Sequence, residues 1–234
     1  MILNKVIRKI LVPDSNLSYA QFGEDFIISY LFELLKIDKP VYLDIGANHP
    51  RYISNTFYFY ERGNSGVCIE PNPELYKKYK KIRPRDIVLN IGIGTEEEKE
   101  ADFYLYDNKY NGLSTFSKEQ ALHWQNIGME GLGKITYQRV IKIPLLSINE
   151  IIDKYFQNIP DLLSIDVEGM DLEILQSLDF NRYKPKVICA ETLAYDIRQK
   201  GYKMTSIHEL LMENGYEAYA DTRVNTIFCL KELL

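Results

Sequence analysis

Two acidic residues in the first third of the chain each follow an apolar run, and this placement indicates a ligand site. Residues 41–48 read Val-Tyr-Leu-Asp-Ile-Gly-Ala-Asn, so Asp44 and Gly46 come where a buried parallel strand is predicted to end. A second run, residues 66–69, leads into Glu70. Because neighbouring parallel strands bring their carboxyl ends to one edge of a sheet, both acids are expected to face one ligand. An ionised carboxylate accepts two hydrogen bonds from a vicinal diol, so Glu70 is predicted to hold a ribose.

The glycines near these strands indicate which nucleotide-type ligand fits. A G-x-G pattern follows a strand at Gly92-Ile93-Gly94, but the third position of the dinucleotide fingerprint is Glu97, which argues against a nicotinamide cofactor. The phosphate-cradling pattern G-x-x-x-x-G-K-[ST] is absent. A ligand with a ribose and an adenine but no phosphates fits, and S-adenosylmethionine is such a molecule. Its amino-acid end is predicted to approach Gly46, its ammonium to face Asp44, and its adenine to lie near Asn90 and Gly92.

If such a donor transfers its methyl group to a hydroxyl, the acceptor that the family resemblance described below implies, the hydroxyl proton has to be removed, and three residues are candidates for this step. Asp166 and Glu191 follow the fourth and fifth main predicted strands, where ligands bind in this class of sheet. Their hard oxygen atoms suit Mg²⁺ or Mn²⁺, which acidifies a bound hydroxyl, so both are predicted as catalytic residues and metal ligands. The alternative is that Asp166 caps the next helix and Glu191 pairs with a basic residue. His49, on the Asp44 loop, is the third candidate, as a general base.

The elements that must position these residues alternate between strands and helices, which predicts a mostly parallel sheet covered on both faces. The last two strands, joined by a short turn, are expected to form an antiparallel pair at one end of the sheet. Strands are predicted at Val41–Asp44, Gly66–Glu70, Ile87–Ile91, Asp102–Tyr106, Arg139–Ile143, Leu162–Asp166, Lys186–Glu191, Tyr216–Ala220 and Thr226–Leu230. Helices are predicted at Gln21–Lys36, Ser54–Arg62 and Leu172–Leu178, after the cap Asn72, and after capping boxes that begin at Ser147 and Ser206.

The length of 234 residues predicts one large α/β domain. We expect an N-terminal helical segment over residues 1–40 and the main domain over residues 41–234, with an insert at about 94–136 that serves as a substrate lid. The first eleven residues place Ile and Leu side chains on one helical face and basic ones opposite. This pattern predicts a short helix docked on the domain or on a partner subunit in a homo-oligomer, with membrane-surface binding as the alternative.

Composition narrows the class of partner and the compartment. The formal net charge is −5, and no basic excess indicates nucleic-acid binding. The three cysteines lie within apolar runs and form no C-x-x-C pair, so they are interpreted as core thiols of a protein in the reducing cytoplasm. No apolar run is long enough to predict a transmembrane span, and the first residues do not read as a signal peptide.

Several segments of the chain resemble the FkbM-type methyltransferases. They are Gln21-Phe22-Gly23-Glu24-Asp25, Leu43-Asp44-Ile45-Gly46-Ala47-Asn48, Ile69-Glu70-Pro71-Asn72-Pro73, Leu163-Ser164-Ile165-Asp166-Val167-Glu168-Gly169 and Asn225-Thr226-Ile227-Phe228. The resemblance covers about residues 19–230. It implies a Rossmann-like class I methyltransferase fold, a seven-stranded sheet with an antiparallel last strand, and S-adenosylmethionine as cofactor. It also implies that Gln21, Asp25, Ala47 and Asn48 lie near that cofactor.

The activity implied by this resemblance is O-methylation of a sugar hydroxyl. The expected acceptor is a small molecule or a nucleotide-activated sugar, such as a heptose or deoxysugar, made for capsule, lipopolysaccharide or another surface glycan. The chain departs from the commoner family pattern at His49-Pro50, where many members carry a second glycine. Two alternatives stay open: O-methylation of a small natural product, and an inactive cofactor-binding scaffold.

Overall fold

The computed structural model describes residues 17–94, 99–107, 110–126, 133–167, 169–195 and 201–234. The predicted amphipathic segment at the start of the chain and Glu168 lie outside these ranges, as do parts of the predicted insert. Within the described ranges, no helix combines the length and the apolar character that spanning a bilayer requires.

Apolar runs with few polar interruptions form the strands, as buried parallel strands require. In chain order the strands are β1 (Tyr42–Ile45), β2 (Gly66–Ile69), β3 (Ile87–Leu89), β4 (Gly92–Ile93), β5 (Glu100–Leu105), β6 (Arg139–Leu146), β7 (Leu162–Ile165), β8 (Val187–Glu191), β9 (Leu193–Tyr195), β10 (Gly201–Lys203), β11 (Tyr216–Asp221) and β12 (Asn225–Leu230). Seven of them form the main sheet in the order β11-β12-β8-β7-β1-β2-β3.

The register of this sheet brings the predicted site to one edge. Ile45 of β1 is aligned with Ile69 of β2 on one side and with Ile165 of β7 on the other. The residues that follow these three strand ends therefore meet at the carboxyl edge of the sheet. At the far end, β12 runs antiparallel to both β8 and β11, which confirms the predicted antiparallel pair and the antiparallel last strand.

Helices cover both faces of the sheet, as the alternation predicted. They are α1 (Glu24–Leu34), α2 (Phe57–Glu61), α3 (Pro73–Ile82), α4 (Lys118–Asn126), α5 (Ile148–Tyr155), α6 (Asp171–Ser177) and α7 (Thr205–Glu213). On one face, Leu43 and Ile45 of β1 pack in a core with α5, α6 and α7. On the other, Tyr42 packs in a core with α1 and α2.

Two of the three predicted helix caps are confirmed. The Asn72 side chain accepts a hydrogen bond from the Glu74 N–H at 2.9 Å, with Pro73 at the first helical position. Ser147 and Glu150 form a reciprocal capping box at the start of α5. The predicted capping box at Ser206 is wrong: α7 begins at Thr205 with Met204 at the cap position, two residues before Ser206, so the Ser206 side chain lies within the first turn.

Part of the predicted insert belongs to a small sheet, of which the sequence analysis predicted some strands only. The strand expected at Asp102–Tyr106 is β5, and it joins β4 and β6 in the order β4-β6-β5. A short 3₁₀ turn, Asn111–Leu113, follows at a segment whose sequence, Asn-Gly-Leu-Ser, predicts a tight turn, and helix α4, which was not predicted, comes after it. Strand β3 stops at Leu89 instead of Ile91 because the Asn90 side chain donates hydrogen bonds to the loop after β2, at Glu70 O and Pro71 O, both at 2.8 Å.

Candidate active site

A cavity of about 430 Å³ opens at the carboxyl edge of the sheet, across the ends of β1, β2 and β7. The volume lies in the range of small-molecule sites. The sheet edge lines one side of it, and the 3₁₀ turn with the segment to Phe116 lines another. The cavity brings together six residues predicted for the site: Gln21, Gly46, Asn48, Glu70, Gly92 and Asp166.

Glu70 is the buried carboxylate of this cavity, with 4 % of its surface exposed. Its Oε1 accepts a hydrogen bond from the Asn72 N–H at 2.7 Å, and the backbone of Asn48 also donates to the carboxylate. Burial raises the pKa of Glu70 to about 8, although these two backbone donors act in the opposite direction. The side chain is thus fixed at the end of β2, where a ribose diol would supply the further donors that stabilise its ionised form.

Gly46 is required by a close contact within the protein, besides the ligand approach that the sequence predicts. Its φ is +77°, and a Cβ at this position would lie 1.8 Å from the Asp166 carbonyl oxygen. The glycine therefore lets the loop after β1 pass against the end of β7, a contact between two chain segments. Because both segments line the cavity, this close approach sets the width of the site.

Asp44 was predicted to face the cofactor ammonium, but it lies behind the cavity wall. Its Oδ2 accepts a short hydrogen bond from Thr56 Oγ1. The Thr56 hydroxyl in turn accepts from the guanidinium of Arg83 at 3.0 Å. Arg83 is fully buried and pairs with Asp86 at 2.6 Å. Burial raises the pKa of the Asp44 carboxyl, and the positive charge of Arg83 opposes this shift. Asp44 thus joins the end of β1 to a buried polar network.

The Gln21 segment reaches the cavity because two acids of α1 anchor it. The Asp25 carboxylate accepts hydrogen bonds from Ser18 Oγ and Tyr19 N, both at 2.7 Å. These bonds fix the chain that precedes Gln21. Asp25 itself, predicted near the cofactor from the family resemblance, does not line the cavity.

Glu24 provides the second anchor, and sequence reasoning missed it. Its Oε2 accepts from the Phe22 N–H at 2.8 Å. Its Oε1 accepts from Thr222 Oγ1 at 2.7 Å and from Asn225 Nδ2 at 3.0 Å. Two of the segments that carry the family resemblance therefore contact each other directly. In the sequence, each segment shows only polar residues next to apolar ones. Nothing in that pattern indicates that the two segments contact each other.

The loop after β1 is completed by Ala47 and Asn48. The Ala47 carbonyl accepts a hydrogen bond from Tyr79 Oη at 2.7 Å, so α3 fixes this loop, although Ala47 does not line the cavity. Asn48 has φ +47°, and its amide nitrogen lies against Gly112 of the 3₁₀ turn. Among the described residues, its buried Oδ1 has no hydrogen-bond partner. That acceptor is therefore available to a donor group on a ligand in the cavity.

The three predicted catalytic residues are in different environments. Asp166 lines the cavity and is half-buried; burial raises the pKa of its carboxyl, and the negative charges of Asp44 and Glu24 add to this. His49 lies outside the lining, and its Nδ1 accepts the N–H groups of Arg51 and Tyr52 at 3.2 Å, which places the ring proton on Nε2. Glu191 ends β8, beside the strand of Asp166, but does not line the cavity.

The predicted metal ligands do not form a set that fits a divalent cation. Only Asp166 of the pair lines the cavity. Within the ranges that the structure describes, no group of three His, Cys, Asp or Glu side chains could hold a metal ion. Since Mg²⁺ and Mn²⁺ prefer several oxygen ligands, we derive no catalytic step through a metal.

The sheet order, with β12 inserted antiparallel between β8 and β11 and a cavity across the ends of β1 and β2, is that of the Rossmann-like class I methyltransferase fold. A model of the methyltransferase FkbM domain matches residues 44–218, well over half of the chain. The chain belongs to this family. Curated proteins yield no match.

Solved structures of methyltransferases are similar to the chain at low identity. Methyltransferase FkbM from Methylobacillus flagellatus KT has a TM-score of 0.42 and 14 % identity over 82 % of this chain, which spans 44 % of that structure. The O-methyltransferase from Bacillus cereus in complex with SAH has a TM-score of 0.45 and 11 % identity, covering 98 % of this chain and 89 % of that one. TehB from Haemophilus influenzae has 0.46 and 9 %, covering 96 % and 66 %.

Proposed function

We propose that the chain is an S-adenosylmethionine-dependent O-methyltransferase that acts on a sugar hydroxyl, with a nucleotide-activated sugar of surface-glycan synthesis as its acceptor. The observation that carries the proposal is the convergence of Glu70 and Asp166 on one cavity whose second wall is the insert. The donor supplies an activated methyl group on a cationic sulfur. The residues of the chain have to hold the donor, align the acceptor and take up one proton.

Glu70 and Asn48 are the groups proposed to hold the donor. The Glu70 carboxylate accepts hydrogen bonds from the two ribose hydroxyls, and its fixed position at the end of β2 sets the location of the adenosine. Gly92, on β4, is assigned to the adenine end. A Cβ at Gly92 would lie 2.4 Å from the Phe116 ring, so the glycine packs directly beside that ring. Gln21 and the unpaired Oδ1 of Asn48 face the amino-acid end, where an ammonium group supplies donors.

Asp166 is proposed as the general base. The acceptor oxygen attacks the methyl carbon, the carbon–sulfur bond breaks with its electron pair on sulfur, and the hydroxyl proton passes to the Asp166 carboxylate. A carboxylate at its ordinary pKa is a weak base for a hydroxyl, and the raised pKa of Asp166 improves the match. His49 is the weaker candidate, because two backbone donors occupy the ring nitrogen that could accept a proton.

The lining supports a polar acceptor better than a purely apolar one. Apolar side chains such as Phe103, Leu113 and Met170 share the wall with Asn111, Ser114 and Thr115. A small aromatic or polyketide acceptor would be favoured by a wholly apolar wall. All three cysteines are buried free thiols, which supports our proposal of a cytoplasmic setting.

The test is incubation with isotopically labelled donor and a panel of nucleotide sugars, with and without EDTA. We expect label transfer to at least one member of the panel. If EDTA abolishes the label transfer and Mg²⁺ or Mn²⁺ restores it, the predicted metal requirement is established. If the protein binds S-adenosylhomocysteine in calorimetry but transfers no label to any hydroxyl, the scaffold alternative is favoured.

A further inference from the structure

The loop His49–Ile53 forms one side of the cavity mouth. Ile53 lines the cavity while 57 % of its surface is exposed, and it has φ +53°. A left-handed conformation is strained for a β-branched residue, and such strain is frequent at functional sites. The loop is held by the two hydrogen bonds that His49 Nδ1 accepts from the Arg51 and Tyr52 N–H groups.

This loop holds an aromatic ring in solvent beside the mouth. The Tyr52 side chain is 63 % exposed, and its ring lies 4.7 Å from that of His49 at an angle of 34°. The ring is therefore positioned by a packed neighbour although most of its surface contacts water. Exposed and positioned aromatic rings are the surfaces on which nucleobases stack.

Two cations flank the same loop, and within the described ranges neither forms an ion pair with a carboxylate. Arg51 lies 5.8 Å from the Tyr19 ring and 5.7 Å from the Phe57 ring, and within the described ranges it forms no ion pair. Glu61, on α2, accepts the Tyr19 hydroxyl at 2.9 Å. The guanidinium thus contacts two aromatic rings and the Tyr19 hydroxyl, and no described carboxylate pairs with it directly.

The second cation is Lys78 of α3. The neighbouring Tyr79 donates to the Ala47 carbonyl, which packs this part of the helix against the loop. Lys77 pairs with Glu74 at 2.9 Å, whereas Lys78 forms no ion pair to any carboxylate that the structure describes. The pKa of His49 is lowered by burial and then by the charges of Lys78 and Arg51, which agrees with both cations facing the loop.

We propose that the loop His49–Ile53, with Tyr52, Arg51 and Lys78, binds the nucleoside diphosphate of the acceptor. The inference rests on the proposed function, because it locates the part of a nucleotide-activated sugar that is not methylated. The base stacks on Tyr52, and the diphosphate, a strong acceptor for charge-assisted hydrogen bonds, lies between Arg51 and Lys78. The sugar is attached at the far end of the diphosphate, so it passes Ile53 into the cavity towards Asp166.

The experiment is calorimetric titration of UDP into protein saturated with S-adenosylhomocysteine, with uridine and inorganic pyrophosphate as further probes. UDP is expected to bind the loaded protein without displacing S-adenosylhomocysteine. Lys78→Gln is expected to weaken UDP binding about tenfold, the loss of one charge-assisted contact, and to reduce its salt dependence. Lys77→Gln, one residue away and already ion-paired, is the matched control and should bind UDP as the native protein does.

Further variants separate the two halves of the ligand. Tyr52→Ala should weaken UDP and uridine binding but leave pyrophosphate binding unchanged, whereas Tyr202→Ala, at a ring 54 % exposed elsewhere, should change none of them. Equal UDP affinity of Lys78→Gln and Lys77→Gln would overturn the assignment. So would competition between UDP and S-adenosylhomocysteine, which would place UDP in the cavity. If S-adenosylhomocysteine binds and UDP does not, the mouth assignment is wrong while the proposed function stands; failure of S-adenosylhomocysteine itself to bind refutes the proposed function.

Discussion

The substitution Glu70→Gln tests the donor site through both affinity and proton release. Both ribose hydroxyls can donate to the Glu70 carboxylate only when it is ionised, because a carboxyl proton would compete with them. The pKa of Glu70 in the free protein is raised to about 8. Donor binding therefore favours the ionised form and strengthens as the pH rises towards 8. If only this form binds, affinity at pH 7 is about tenfold below its high-pH plateau, and at pH 6 about a hundredfold below.

The same linkage predicts a proton count. At pH 7 about nine tenths of the free protein carries the proton on Glu70, so binding of S-adenosylhomocysteine releases close to one proton. Calorimetry in buffers of different ionisation enthalpy measures this number directly. Glu70→Gln has no such proton, and near pH 9 it should lose about 30-fold in affinity, equivalent to about 2 kcal/mol for a charge-assisted contact.

The matched control is Glu74→Gln, an exposed acid in the first turn of α3, four residues from Glu70. It should keep the native affinity and the native proton release. There is also a consequence for the free protein. Because the folded pKa of Glu70 lies above the ordinary value of 4.5, its contribution to stability is present below that value and is lost as the pH rises towards 8. Glu70→Gln should flatten this part of the stability profile. Affinity within twofold of native, together with unchanged proton release, would refute the assignment of Glu70 to the donor.

Three more substitutions test the rest of the site. Gly46→Ala should destabilise the fold by at least about 3 kcal/mol in denaturant unfolding, because its Cβ would overlap the Asp166 carbonyl. The control Gly63→Ala, at a glycine with φ +100° and open space around it, should lose only about 1 kcal/mol. Equal losses would contradict the close-approach argument. Asp166→Asn should lower kcat at least about a hundredfold at saturating donor, and full activity would remove it as the base. Glu24→Gln should raise the donor Kd several-fold by loosening the Gln21 segment, while Glu33→Gln on the exposed side of α1 should leave it unchanged; the reverse order would refute the anchoring role.

The part of the site that follows strand ends could be predicted from the sequence, because strand periodicity and chain order determine where those ends meet. Gly46, Glu70 and Asp166 come together for this reason. The expected role of Asp44 did not follow, since its partner network includes Arg83, which reads in the sequence as one more basic residue at a helix end. The burial of Arg83 depends on aromatic side chains from other elements.

Non-local pairing also explains what was missed in the rest of the chain. Glu24 and Asn225 are hydrogen-bonded although 201 positions separate them in the sequence. Neither residue lies in a local pattern that indicates this contact. Strand β4 has two residues, too few for any periodicity, and it forms only because β6 lies beside it.

The distribution of acids in the site has a physical consequence for ligand preference. Burial raises the pKa of Asp166 and of Asp171; the charges of Asp44 and Glu24 raise that of Asp166 further, and the charge of Asp166 raises that of Asp171 further. Such a group is unfavourable in the empty protein because like charges repel in a medium of low dielectric constant. A ligand with a positive charge relieves this repulsion, and the proposed donor carries one on its sulfur as well as on its ammonium group. Methyl transfer removes the sulfur charge, so the same acids that favour binding of the donor hold the product less strongly.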